Sequence, residues 1–435
     1  MTVDRNYSID VNNHRPDVVR GPKAGFNWYV ERITDSAGHQ LSGGSGASGW
    51  GYNQSNIIRF EEDVYALSWR DDLTLCVFRR VGDGSWETGP VLPPVPQNGN
   101  LLVDSSGRLH VISGDEASWH VLFDVPGRLD CWELRRRVCG DSRFGAGIDS
   151  RDRILVAGGL EQLTWYVLEG ACDFACPLEG AFVHQRARGY QFVVFRDGSA
   201  HTFCGDDYFL PGEGFPNQTI TVPDSSTGGV RRVETPHGIY PTLRAYYYFN
   251  ADLLAQPNAW DCTVVADVSD TFDEVKGTRG TVDHQDLFVD ADGLVHLIYF
   301  ENRQLSREVW AATGQDSTQS RLYHAVGSPG GPFQSWCLGA FNSGRLYQTP
   351  DGRFHYLLTC GRRGSANSIW YASGESGDWG RISDPVQLSG IGPLWHLSVS
   401  SVRSGASIEA EIDCYWTGPF GGNSNEVYFG RLTPK

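Results

Sequence analysis

The sequence predicts an all-β protein, and three observations carry that prediction. The chain holds 52 Gly beside 14 Trp, 18 Tyr and 21 Phe, a composition suited to many short strands joined by tight turns. No amphipathic stretch of 3.6-residue period runs beyond about three turns, so helix is scarce. One phrase also recurs: "NLLVDSSGRLHVISG", "GYQFVVFRDGSAHTFC", "DLFVDADGLVHLIYF" and "RLYQTPDGRFHYLLT" each place a histidine just after a Gly-containing turn.

Aligned on that phrase, the chain divides into units. Each has a polar leading residue, a strand, a turn, a second strand and a third strand centred on Trp or Tyr. The leading positions Asn53, Asn98, Arg143 and Arg188 are 45 residues apart, and later ones fall at His284, Arg345 and His396. The third strands read "LCVF" at 75, "SWHVLF" at 118, "TWYVLE" at 164, "EVWAAT" at 308, "SIWYAS" at 368 and "EVYFGR" at 426. A unit of this size has an apolar face that it cannot bury alone. Stacking such units around an axis gives a β-propeller.

Seven blades are expected. The interval from 188 to 284 is long enough for one enlarged blade or two, and "TLRAYYYFNADLL" with "DCTVVADVS" could form the middle of an eighth. The unit after Trp395 is short, so the ring should close by borrowing "FNWYVERI" (26–33) as a strand. The expected organisation is an N-terminal extension over 1–24 and a single propeller domain over 25–435.

Composition bounds the partners. A formal net charge of −16 argues against nucleic acid and anionic membranes, and no run approaches the roughly 20 apolar residues of a membrane span. The N-terminus lacks an apolar signal core, which fits either a cytoplasmic protein or an exported one with its leader removed. The ten cysteines read mainly as small core residues, with Cys131–Cys139 and Cys172–Cys176 as the pairs that export would allow. No nucleotide loop, redox pair or haem motif is present, so no cofactor and no metal are expected, and a monomer is the simplest assembly.

The repeated His110, His201, His296 and His355 read as scaffold. Four blades carry the same residue at the same place, whereas a reaction centre is one asymmetric spot. The informative positions break the repeat. Asn53, Asn98, Arg143, Arg188, His284, Arg345 and His396 lead seven innermost strands, which would point amide, cationic and imidazole groups into one axial funnel.

The D-x-D-G-x-x-H turns, the opening "YNQSNIIRF" (52–60) and "DHQDLFVDADGLVHLIYFENR" (283–303) resemble the BNR-like propellers. Nearest in pattern are the seven-bladed polysaccharide lyases, of the ulvan lyase and rhamnose–glucuronate lyase type. His, not Trp, ends the repeated box, which departs from a standard sialidase. Such lyases open the second blade with a D-H-N phrase bearing a catalytic histidine. Here "PQNGN" puts Asn98 in its place, and "RGYQF" supplies Tyr190 without the family's proline.

The resemblance implies elimination on a uronate-containing acidic oligo- or polysaccharide. The proton next to a charged carboxylate is barely acidic, so the site must neutralise that carboxylate and supply a base and an acid. Arg188, Arg143 and Arg345 beside Asn53 and Asn98 suit the first task. His284 or His184 is the expected base and Tyr190 or Tyr240 the expected acid, with His120 and His396 as further substrate contacts. A glycoside hydrolase would need two carboxylates, available at Asp115/Glu116, Asp206/Asp207 and Glu301. A non-catalytic carbohydrate-binding propeller would need neither.

Overall fold

The structure is a computed structural model. It describes residues 18–23, 25–39, 41–42, 55–70, 74–81, 84–92, 99–114, 118–138, 144–158, 163–168, 178–182, 187–206, 219–224, 229–234, 243–271, 278–306, 320–360, 368–388, 395–417 and 426–435. Among these residues thirty-two strands, numbered in chain order, form seven antiparallel sheets and one separate hairpin.

The innermost strands are β4 (Ile57–Phe60), β8 (Gly99–Val103), β12 (Gly145–Ile148), β16 (Ala187–Arg196), β22 (Thr278–Val289), β26 (Ser343–Gln348) and β30 (Trp395–Val399). Each contacts the next, and β30 returns to β4. That cycle is the propeller ring, and it has seven members. Blade four is enlarged because the hairpin of β18 (Thr219–Asp224) and β19 (Gly229–Glu234) is inserted between its second and third strands. The segments considered for an eighth blade are therefore its third and fourth strands, β20 (Arg244–Asn250) and β21 (Asp261–Asp267). In blade five the third strand is β24 (Ser320–Gly327), not "EVWAAT", which lies outside the described residues.

The ring closes as the pattern required. β2 (Phe26–Arg32) pairs along its whole length with β32 (Val427–Pro434), the third strand of blade seven, and β1 (Val18–Lys23) adds a fifth strand outside β2. The first of these strands lies within the segment expected to be an extension.

Packing follows from the twofold alternation of strand side chains. Each blade is apolar on both faces, and each of the seven junctions holds its own cluster. Phe78 with Phe429 marks the junction of blades seven and one, Leu67 with Val111 that of one and two, and Ile112 with Ile154 that of two and three. Leu155 packs with Phe195, Phe192 with Leu297, Ile298 with Tyr356, and Tyr347 with Trp416 at the other four. Each fully buried large side chain contributes about 1.5–3 kcal/mol. Cys76, Cys204 and Cys414 are core residues and, like Cys131, free thiols; Cys139, Cys172 and Cys176, the other members of the two possible pairs, lie outside the described residues.

The turns after the innermost strands of blades two, three and five are Asx turns, led by Asp104, Asp149 and Asp290. Asp104 Oδ1 accepts from the backbone N–H of Ser106 and Arg108, and Asp149 Oδ1 from those of Arg151 and Arg153. Gly107 and Gly293 take the left-handed conformation in two of them, and Gly352 does so in the Thr349-led turn of blade six, at φ +82, +82 and +84. Neighbouring turns are tied together: Ser105 N and Oγ donate to Asp152, Ser150 Oγ to Asp197, and the Arg196 guanidinium to the Asp290 carbonyl.

Candidate functional site

The repeated histidines have one geometry. Nδ1 of each faces a His or Tyr on the third strand of its own blade: His120 for His110 at 3.0 Å, Tyr247 for His201 at 2.7 Å, His324 for His296 at 3.0 Å and Tyr371 for His355 at 2.9 Å. Nε2 faces the turn, at Asp104, Ser199, Asp290 and Thr349 respectively. Each imidazole thus ties turn to third strand inside one blade, and His201, His296 and His355 also pack on Phe249, Phe354 and Tyr371. Burial pushes His201 down to about 3 and His355 to about 4, so both are neutral at ordinary pH.

This relay places His120, which had been expected to meet substrate. Its ring stacks on His110 with centroids 5.2 Å apart and is fully buried. The enclosure removes it from the reach of a ligand, and His324 occupies the equivalent position in blade five.

The remaining expected residues fall in three groups. Asn53, Asn98, Arg143, His184 and Tyr240 lie outside the described residues. Arg188 and Tyr190 in β16 and His396 in β30 are described through their backbone, and each belongs to an innermost strand. His284 and Arg345 are described in full. His284 is fully buried, edge-on to Phe192 and Phe203 at 5.8 Å each, with Nδ1 3.5 Å from Asp283 Oδ1. Arg345 is 2% exposed. Its Nη1 donates to the carbonyls of Gln285 at 2.6 Å and Gly344 at 2.8 Å, so this part of its fork is engaged by backbone rather than held open for a carboxylate.

Two adjacent innermost strands carry irregularities at these positions. In β22, His284 faces Tyr299 and Asp286 faces Ile298, so Gln285 is a bulge. In β16 the register breaks between Arg188, opposite Gly205, and Phe192, opposite Phe203. Tyr190 lies inside that break. Bulges re-aim side chains and collect beside active sites. The break also sets a neighbour: the Gln191 carbonyl presses on Gly145 of β12, where a Cβ would sit 1.9 Å away.

The ring axis is crossed by a residue that the sequence pattern did not mark. After β30 the chain makes a short 3-10 turn, Val402–Ser404, which contacts β8, β12 and β16. Arg403 Nη1 donates to Asp286 Oδ1 at 2.6 Å, and its guanidinium lies 5.0 Å from the centre of the Phe192 ring. Arg345 lies 5.5 Å from the same ring. Phe192 therefore meets two buried cations, each attracted to its π face. Gly405 closes the turn at φ +83, with the Val103 carbonyl 1.9 Å from where a Cβ would be.

Beyond the axis, β22 and β23 (Val295–Ser306) run on for twelve residues each. Near the far end of β23, burial pushes the Glu301 carboxyl up against the opposing pull of Arg303. The Arg303 guanidinium is 3.4 Å from Glu301 and is clamped by both oxygens of Asp270. Tyr299 stacks on Tyr323 beside it, with centroids 5.1 Å apart.

No protein-family model matches the chain, and no curated protein matches it. Solved structures do. The chain is similar to an ulvan lyase of polysaccharide lyase family PL25, with TM-score 0.58 and 11% identity over 90% of this chain and 94% of that one. The same enzyme bound to -[GlcA(1-4)Rha3S]- gives 0.57 with the same identity and coverage. The polysaccharide lyase Uly1 gives 0.50 at 9% identity, over 92% of this chain and 93% of that one. In fold, the chain is a seven-bladed propeller of the kind that ulvan lyases use.

Proposed function

We propose that the protein is a polysaccharide lyase that cleaves an acidic, uronate-containing glycan by β-elimination at the axial mouth. The observation that carries this reading is the juxtaposition of β16 and β22. The irregular segment of β16 holds Arg188 and Tyr190, that of β22 backs it with buried His284, and His184 precedes β16 by three residues. Support comes from the likeness in fold to a lyase bound to a glucuronate–rhamnose oligosaccharide.

In this reading Arg188 pairs with the uronate carboxylate and makes the C5 proton removable. His184 takes that proton. The C5 electron pair forms the C4–C5 double bond, the C4–O bond breaks, and Tyr190 or Tyr240 returns a proton to the leaving oxygen. Asn53, Asn98, Arg143 and His396 hold the flanking sugars. His284, enclosed behind Phe192, and Arg345, bonded to the Gln285 carbonyl, support the strands rather than touch the glycan.

The test is incubation with a panel of uronate polysaccharides while following the ultraviolet absorbance of the unsaturated product, with His184→Ala and the double variant Tyr190→Phe/Tyr240→Phe as the variants that abolish it. Glu301, a half-buried acid with a raised pKa, favours hydrolysis as the second reading. Reducing ends released without the chromophore would establish it, and silence on all glycans would leave a binding module.

A further inference from the structure

The two irregular strand segments are held by one pair of arginines, and the two arginines come from different blades. Arg345 in blade six bonds the carbonyl of Gln285, the bulge residue itself. Arg403 in blade seven bonds the carboxylate of Asp286, the residue that resumes the regular register of β22. Asp286 is fixed from a third side, since its Oδ2 accepts the Leu346 N–H of β26 at 2.9 Å. Both guanidiniums also lie against Phe192, the first regular residue after the break in β16. Phe192 in turn meets His284 edge-on. The two irregularities thus share one knot of buried side chains, with Phe203 also against His284.

A bulge is an extra residue with no ladder partner of its own, so its position can migrate along the strand unless something outside the strand pins it. Here the pins are charge-assisted bonds and a cation–π contact in a buried setting. A slip by one residue would turn Arg188, Tyr190 and His284 to opposite faces of their strands.

We infer that Arg403 is a positioning residue: acting through Asp286 and Phe192, it holds the registers of β16 and β22 and thereby aims the groups that lead those strands. The catalytic consequence rests on the lyase reading above. The register consequence does not.

Two measurements separate them. Amide hydrogen exchange of full-length Arg403→Met, compared with the parent, is expected to accelerate in 187–195 and 280–287 while the outer strands of blades one and two stay unchanged. Acceleration spread evenly over all blades, or none, would overturn the inference whether or not any glycan is cleaved. On a glycan that the parent cleaves, kcat of the variant per folded molecule should fall by about 100-fold, the usual effect of an ångström-scale misplacement, with KM within about twofold and partial recovery in Arg403→Lys. A merely structural role predicts fewer folded molecules with unchanged kcat, which would also overturn it. If Arg403→Met does not fold, Asp286→Asn keeps the shape and carries the same two expectations. If the parent cleaves no glycan while exchange accelerates as stated, the lyase reading fails and the register clamp stands.

Discussion

His296 Nδ1 lies 3.0 Å from His324 Nε2, with Asp290 3.1 Å beyond the first ring and the Tyr356 hydroxyl 3.1 Å beyond the second. This row of four groups crosses from blade five into blade six, and both imidazoles are fully buried. Burial lowers the pKa of each, outweighing the opposing pull of Asp290 on His296. The relay holds its imidazoles neutral in the folded state.

That neutrality sets a pH dependence. The unfolded chain takes up protons on these histidines near the ordinary value of 6.5, whereas folded His355 and His201 resist until about 4 and about 3. The unfolded state binds more protons throughout that interval, so stability is complete above about pH 6.5 and is lost as pH falls below it. Thermal unfolding followed by circular dichroism should show a melting temperature that is level from pH 8 to 7 and declines toward pH 4. A level midpoint down to pH 5 would contradict the assignment. Asp104, lowered to about 2 with His110 and Arg108 as hydrogen-bond partners, adds a second loss only below about pH 3.8.

Removing a third-strand partner should cost as much as removing a core side chain. His324→Ala takes the partner from His296 Nδ1 and from the Tyr356 hydroxyl, and leaves a space facing Trp379. A loss of about 2–5 kcal/mol is expected, read as a lower urea midpoint.

The closing seam depends on a buried charge pair. Arg59 of blade one donates to Asp413 of blade seven at 2.6 Å, and Arg431 meets the same carboxylate at 2.7 Å. Burial opposes the charge on Arg59, yet Asp413 and Glu411 raise its pKa overall. Arg59→Met removes one cation and leaves buried Asp413 with Arg431 alone, so a loss of about 1.5–3 kcal/mol is expected. Adding Asp413→Asn should recover part of it, which chemical denaturation of the double variant would measure.

Gly405→Ala tests the segment across the axis. The φ of +83 alone costs a non-glycine residue about 1–3 kcal/mol, and the Val103 carbonyl occupies the space a Cβ would need. The expected outcome is a stability loss above that range together with altered exchange in 402–405. A silent substitution would mean that the segment leaves the axis readily.

For the proposed chemistry, Arg188→Gln should reduce kcat/KM on a uronate glycan by about 100- to 1000-fold, the usual cost of losing one charge-stabilising donor. Product formation followed in the ultraviolet measures it directly. Retained turnover would move carboxylate neutralisation elsewhere.

Much of the architecture was legible because it repeats. The Gly-His phrase locates the turn and the second strand of four blades, and the 45-residue step extends that register to blades that lack the histidine. The third strand of blade five was misplaced for a physical reason. β22 and β23 are unusually long there, so β24 begins twelve residues later than the "EVWAAT" run suggested. The partners of the repeated histidines stand 10, 46, 28 and 16 residues further along. Unequal loops hide them from any fixed spacing, although in the folded ladder each stands two residues before the residue opposite its histidine. Arg403 had no such signal. It reaches Asp286, 117 residues earlier, only because the ring closes and folds a loop across the axis.

Closure has one more consequence. The Lys435 N–H donates to the Gly25 carbonyl at 2.9 Å, so the two ends of the ring proper already touch inside a single sheet. Blade order is cyclic, and no blade is first in the physical sense. A circular permutant that joins Gly25 to Lys435 through a short linker, gives up β1 and opens at the exposed Ala291–Asp292 turn would present the same seven junctions to the core.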